Sequence, residues 1–394
     1  MELAFLNPVL HRPGPWASAY VAGAGAGPDS ADQQELAARE VRHQLSRQGA
    51  DERTQEAVYE ELRTPVPEEE GRAVFAADGE VRLATPLRAA PPLPEARWSP
   101  LPHLSPLVEH LGEERRCLVA YVDREGADFE LRSAEGAEEL GQAQGQDWPL
   151  SRTSSGDPSE SHFQEAVENT WEQNAATVAD RLTRVAARTH PDAVLLVGES
   201  RQRAAVLDKL PVALRPLTTQ TDRGGRAAGS GTDLLEEEIA ELLAEQEHRH
   251  GARVLERFRV GRARDANTAE AAVEDVASLL EAAREHRIET LLLRPGGPDT
   301  NTEVWVGEEP DQIALRRSET KYLGDPEPSP ARADDALLRA VAATGGTAVV
   351  VDEPRPDSEV SPEGEPVAQA VDEEMPVGGI GAVLRWSQPE PAAG

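Results

Sequence analysis

At 394 residues the chain has room for two or three domains, and 40 Lys and Arg against 72 Asp and Glu leave a formal net charge of −32. Such an average surface repels phosphate, which excludes general coating of nucleic-acid backbone and argues against DNA as a partner. No run of about 18 apolar residues marks a membrane span, and the single Cys117 excludes an internal disulfide or a multi-cysteine zinc site. Met1–Leu10 lacks the basic and apolar regions of a secretory signal, so the expected location is the cytoplasm. Lys209 and Lys321 are the two lysines, a usage that points to a GC-rich genome; the acid excess also fits a salt-adapted cytoplasm.

Ala37, Val41 and Leu45 repeat as one helix stripe between Asp29 and Gly49, and a second helix is predicted from Asp51 to Arg63, before Pro65. Ala73–Ala76 and Glu80–Leu83 flank Asp78-Gly79, a hairpin turn. Seven prolines from Pro86 to Pro106 exclude a helix interior or a central strand and predict a linker or a wrapped extended segment. Beyond Glu113 the chain predicts strands at Cys117–Val122 and Asp128–Leu131, then a polar loop from Leu150 to His162. A long helix carries Phe163, Val167, Trp171, Val178, Leu182 and Val185. A strand at Val194–Val197, a helix at Arg201–Leu210 and an extended piece at Leu214–Thr218 follow. Asp222-Arg223-Gly224-Gly225 opens a loop before a helix from Leu235 to about Phe258.

A third unit starts near Arg264. Val273, Val276 and Leu280 predict a helix, Ile288–Leu293 and Val304–Val306 strands, Leu337–Ala342 a helix and Ala348–Val351 a strand. Asp352–Glu374 is acidic and rich in Pro and Ser, and Val377–Trp386 returns to strand character. The expected fold class is α/β with α+β elements and mostly parallel pairing. Three domains are expected at 1–112, 113–262 and 263–394: an N-terminal domain with a proline-rich linker, a middle domain and a C-terminal α/β domain.

Charge is unevenly spread. From Arg181 to Arg264 there are 15 Lys and Arg against 12 Asp and Glu, a net +3, so the remainder carries −35. Arg249, Arg253, Arg257, Arg259, Arg262 and Arg264 are accompanied only by Glu256, and the first three lie four apart, on one helix face. They are the candidate RNA-phosphate contacts; the plainer reading is a solvated face paired with Glu245, Glu247 and Glu256. His248 and His250 have the wrong spacing for a zinc-protease pair, and no metal or cofactor is expected. Asp222–Gly225 lacks the Gly-Lys-Ser/Thr end of a phosphate loop. Ser154, Ser155 and His162 lack a nucleophile elbow, and Cys117 reads as a buried structural thiol.

Val377-Gly378-Gly379-Ile380-Gly381-Ala382-Val383-Leu384-Arg385-Trp386 resembles the glycine-rich strand near the end of the archaeo-eukaryotic class-one release factors. In the same order, Asp192–Ser200 is similar to a strand of their middle domain, Asp222–Gly225 to a turn before a long helix, and Ala271–Leu293 to the start of their third domain. The resemblance covers roughly residues 113–394; the first domain carries no Asn-Ile-Lys-Ser motif. It implies release-factor-like middle and C-terminal domains. In the family a Gly-Gly-Gln loop positions water at the peptidyl-transferase centre. Its place here reads LSRTSSGDPSESH, with Arg152, Thr153, Ser154, Ser155, Gly156, Asp157 and Pro158 at the expected loop tip and no Gly-Gly-Gln. Pelota, which also lacks that motif, works by occupying the ribosome, and Balon-like bacterial relatives occupy the A site of idle ribosomes. The actinobacteria-like composition fits that bacterial branch.

The resemblance therefore implies a cytoplasmic, non-catalytic hibernation or rescue factor with the 70S ribosome and its RNA as partner, and elongation factor Tu meeting the third domain. The alternative is a peptidyl-tRNA hydrolase of the quality-control type, with His162, Asp157, Ser154 or Arg152 as catalytic candidates. A third reading is a stress-induced α/β protein with a protein partner and no RNA.

Overall fold

The computed structural model describes residues 1–10, 14–23, 25, 29–64, 70–112, 115–133, 136–144, 160–225, 232–263, 271–325, 327–351 and 375–386, with side chains at 160–171, 232 and 263 left aside. The chain divides into two compact units. One joins Met1–Glu113 to Gly251–Gly394, and the other is Glu114–His250.

The first unit opens with a short helix, α1 (Asn7–Leu10), and a strand, β1 (Trp16–Ala22). Helices α2 (Ser30–Arg47) and α3 (Glu52–Leu62) follow, then strands β2 (Gly71–Ala77), β3 (Glu80–Leu87) and β4 (Glu95–Ser99) and helix α4 (Ser105–Leu111). The Asp51 carboxylate accepts the Thr54 N–H at 2.9 Å and starts α3. Asp78 and Gly79 both have positive φ, as the tight turn between β2 and β3 requires. The buried stripe of α2 is Gln34, Ala38, Val41 and Leu45; Ala37 of the predicted stripe is half-buried, one position off the observed one. The sheet runs β3-β2-β1-β4, antiparallel throughout.

The proline-rich stretch is not merely a linker: it forms β4 and α4. The proline constraint survives in position, because β3, which holds Pro86, and β4 are edge strands, and Pro106 sits in the first turn of α4. One face of β1, through Ala17, Ala19 and Val21, packs on α2 and α3. The other, through Trp16 and Tyr20, enters a core shared with Leu291, Leu337 and Val341 from the end of the chain. That shared core joins segments the sequence reading divides.

The second unit comprises strands β5 (Cys117–Val122), β6 (Gly126–Ser133) and β7 (Gly136–Gln144), helix α5 (Glu160–Thr189), strand β8 (Ala193–Gly198), helix α6 (Ser200–Lys209), strand β9 (Thr218–Thr221) and most of helix α7 (Thr232–Ala263). The sheet order is β7-β6-β5-β8-β9. Leu118, Ala120, Val194 and Leu196 face Val178, Leu182 and Val185 of α5; Cys117, Val119, Leu195 and Val197 face Leu235 and Ile239 of α7. Helices thus cover both faces, which explains the continuous apolar runs of β5 and β8. Cys117 is fully buried, and burial pushes its thiol up to about 12, as suits a structural residue. Leu214–Thr218, expected to be extended, is a 3₁₀ turn at Arg215–Leu217 leading into β9.

The chain then returns to the first unit through strand β10 (Ala272–Val273), helix α8 (Val276–Arg284), strands β11 (Ile288–Leu293), β12 (Glu303–Val306) and β13 (Ile313–Ala314), helix α9 (Arg317–Tyr322), strand β14 (Ser329–Arg332), helix α10 (Ala333–Ala343) and strands β15 (Thr347–Val350) and β16 (Ile380–Leu384). Val273 belongs to a strand, not to the predicted helix, because the Asp275 carboxylate accepts the Ser278 N–H at 2.9 Å and sets the start of α8 after it. The sheets are β10-β16-β11-β15 and β13-β12-β14. The fold is α/β with α+β character, but pairing is mainly antiparallel. Parallel ladders join β5 to β8, β8 to β9 and β11 to β15, where helices intervene in the chain.

Candidate functional site

The expected loop tip, Arg152 to Pro158, lies outside the described residues, as does Arg264. His162 falls in the first turn of α5, and its side chain is likewise outside them. The flanks of that segment are well placed: the Asn174 side chain of α5 donates to the Arg124 carbonyl at 3.1 Å, and Arg181 reaches the Leu140 carbonyl of β7. Strand β7 is an edge strand of the sheet on which α5 packs.

On α7 the arginines do not share one basic face. Val254 and Phe258 are buried, and Arg257 and Arg262 are half-buried beside them; Arg249, Arg253 and Arg259 are exposed. Arg249 pairs with Glu245 at 2.7 Å, and Arg259 with Glu256 at 2.6 Å, which holds the Glu256 carboxyl below its usual range. Arg257 donates both Nη atoms to Glu289 of β11, each at 2.9 Å. That hydrogen-bonded pairing lowers the Glu289 carboxyl below its usual range, with Arg385 adding to the pull. Arg262 reaches Glu274 at 3.3 Å and lies over the Phe258 ring, 5.7 Å from its centroid.

The glycine-rich motif meets these residues. Gly381 in β16 faces Phe258: a Cβ there would come within 2.7 Å of the ring carbon Cε2 and of Pro376 Cγ. Gly379, at φ +83°, crosses Gly297 so closely that its Cβ would sit 2.6 Å from the Gly297 Cα, while the Arg294 N–H donates to the Gly379 carbonyl at 2.8 Å. Ile380 is fully buried in the core, and Arg385 donates to the Thr344 carbonyl at 2.8 Å. Gly378, Gly379, Ile380, Gly381 and Arg385 thus close the terminal strand onto α7, β11 and the loop after it. Gly381→Val is expected to destabilise the first unit by about 1–3 kcal/mol in urea unfolding, the cost of overpacking. Phe258→Leu combined with it should recover part of that loss; additive effects would show that the two residues do not share a packing site.

One cluster has no counterpart in the sequence reading. Asp335, 2% exposed in the first turn of α10, accepts the Leu104 N–H at 2.8 Å and faces His103 Nδ1 at 3.0–3.1 Å. The His103 N–H donates to Ser18 Oγ at 2.9 Å, and the Tyr20 hydroxyl donates to the His103 carbonyl. Arg332 donates to the neighbouring Asp334 at 2.9 Å. Burial, then the Asp335 charge, holds the Asp334 carboxyl above its usual range against the pull of Arg332, and burial raises the Tyr20 phenol. On the same helix Arg339, 1% exposed, donates to the carbonyls of Leu10 and Gly307 at 2.9 and 3.0 Å and to that of Glu308. Burial pushes its guanidinium down to about 10. Gly307 and Glu308 line a cavity of about 570 Å³ with Trp98, Leu101, Asp325 and Ser329. The contacts of Asp335 with His103 and Leu104 and of Arg339 with Leu10 join segments more than 200 residues apart. Among the described residues, no group of three His, Cys, Asp or Glu side chains is placed to hold a metal ion, and no helix is long and apolar enough to cross a membrane.

Comparison with known proteins bears on unit 2 most directly. Residues 116–264 match the model of bacterial archaeo-eukaryotic release factor family 2. The Mycobacterium tuberculosis H37Rv protein Rv2629 is 27% identical over 378 residues, covering 95% of this chain and 94% of its own length. Among solved structures, archaeal aRF1 aligns over 98% of this chain and 97% of its own at 15% identity and a TM-score of 0.25. Archaeal Pelota, from a model of the ribosome-bound protein with ABCE1, aligns over 81% of this chain and 78% of its own at 15% identity and a TM-score of 0.41. Residues 116–264 are thus similar to the bacterial archaeo-eukaryotic release factors of family 2.

Proposed function

We propose that this protein is a non-catalytic ribosome-binding factor that occupies the A site of idle ribosomes. The observation that carries the reading is the pairing of a release-factor family domain at residues 116–264 with LSRTSSGDPSESH, a segment without Gly-Gly-Gln, between β7 and the first turn of α5. An occupier needs shape, backbone donors and hydroxyls against RNA there, and the segment supplies Thr153, Ser154 and Ser155. The exposed Arg249, Arg253 and Arg259 supply phosphate contacts in the one stretch that escapes the acid excess.

Purified protein is expected to co-sediment with 70S ribosomes through a sucrose cushion and to exclude aminoacyl-tRNA from the A site. The triple variant R249E/R253E/R259E should weaken binding and reduce the salt slope by about one for each lost phosphate contact. Arg257 and Arg262 are left intact in it, because their carboxylate partners serve the fold. Absence of co-sedimentation at low salt would overturn the reading.

A further inference from the structure

One surface combines exposure, charge and aromaticity. Helix α9 and the residue before it present Arg316, Arg317, Lys321 and Tyr322 beside Trp305 of β12. Tyr322 is 91% exposed, and the Arg316 side chain is 80% exposed. Arg317 and Lys321 lie four apart on one face of the helix. Arg317 lies over the half-buried Trp305 ring, 5.4 Å from its centroid.

The charge state of this patch sets it apart from the arginines of α7. Arg249, Arg257, Arg259 and Arg262 each have a carboxylate partner at 3.3 Å or less. Among the described residues Arg317 has the Trp305 ring and no carboxylate, Lys321 has no ion-pair partner, and Arg316 has only Glu319 at 3.9 Å. The neighbouring Asp325 carboxylate is engaged by the backbone N–H groups of Glu308 and Glu327, at 2.9 and 2.7 Å. In a chain of net charge −32, Arg317 and Lys321 beside the exposed Tyr322 form a local positive patch. At physiological salt the Debye length is about 8 Å, so this local positive field, not the distant acid excess, governs an approaching phosphate.

We propose that Arg316, Arg317, Lys321 and Tyr322 form an RNA contact surface, in which the cations take phosphates and the tyrosine stacks on an unpaired base. Arg and Lys spaced along one helix face match successive phosphates, and an exposed ring offers a platform to any base. The inference deepens the ribosome-binding reading by naming a second RNA contact, outside the family 2 domain, but it is tested apart from it.

The test uses the full chain and a labelled single-stranded RNA 12-mer, followed by anisotropy across a salt series, with 70S co-sedimentation in parallel. Wild type should bind the oligomer with salt-dependent affinity. R317E/K321E should lose at least tenfold, with the salt slope falling by about 0.7 for each lost contact. Tyr322→Ala should lose about fivefold or more with the slope unchanged, as loss of stacking requires. Lys321→Glu alone touches no packed residue and guards against a folding artefact from freeing Trp305. Equal RNA affinity of wild type and variants overturns the proposal even where ribosomes still sediment. So does no RNA binding at all, or binding of a poly-glutamate peptide in place of RNA, which would mark an acidic protein partner. Failure of ribosome binding with the oligomer result intact overturns the A-site reading alone.

Discussion

Replacing Asp335 with alanine is expected to destabilise the first unit by roughly 3–5 kcal/mol, the scale for removing one partner from a buried charged network. The carboxylate serves two elements from one position: it accepts the Leu104 N–H at the start of α4 and faces the His103 ring, while its own residue lies in the first turn of α10. Alanine leaves a buried amide and a buried imidazole without an acceptor, each costing about 1–3 kcal/mol, and removes negative charge from the positive end of the α10 dipole. Asp335→Asn keeps the shape and one acceptor, so it should cost less than the alanine variant. Urea unfolding with hydrogen exchange at the amides of α4 and α10 checks both. A loss under 1 kcal/mol in the alanine variant would mean that water replaces the carboxylate and that the clasp does not hold these segments together.

Strands β5, β8 and β11 were legible because both their faces are covered, which writes a continuous apolar run into the sequence. The turn at Asp78-Gly79 was legible because two positive φ values select those residues. Strand β7, GAEELGQAQ, was not: it is an exposed edge whose only buried side chain is Ala143, and it exists through its ladder with β6. Parallel pairing was over-read because alternation of helices and strands does not reveal that β16 inserts antiparallel between β10 and β11.

The candidate sites divide along the same line. Four-residue spacing places Arg249, Arg253 and Arg257 near one another on α7, but it cannot show that Arg257 is captured by Glu289, 32 residues away. The glycines of the terminal motif can be found in the chain; that Gly381 makes room for Phe258 requires the packing. His103 and Asp335 are 232 residues apart, and no local pattern announces either. Conversely, the segment between β7 and α5 is most informative as sequence, since what matters there is which side chains are available.

An absence of peptide release is the outcome expected from that availability. The purified protein is expected to leave peptidyl-tRNA on ribosomes intact, at a rate indistinguishable from buffer, while it lowers A-site tRNA entry. Enzymes that accelerate such hydrolyses do so by many powers of ten. A single positioned donor contributes about 10²–10³ and a general base about 10²–10⁴. By resemblance to the release factors, the water-positioning group would be the Gln of Gly-Gly-Gln, which this chain lacks in LSRTSSGDPSESH. The alternatives do not replace it readily. An aspartate carboxylate in an ordinary setting is a weak base at neutral pH, Ser154 has no base in recognisable spacing, and Arg152 can orient an anion but cannot take a proton. His162 carries an imidazole, and its backbone lies in the first turn of α5. The assay is release of labelled peptide from programmed 70S complexes, with puromycin as the positive control and A-site binding of labelled tRNA as the occupancy readout. Robust release that disappears in His162→Ala or Asp157→Ala would replace the occupier with a peptidyl-tRNA hydrolase. Blocked tRNA entry without release fixes the chemistry of this segment as contact alone.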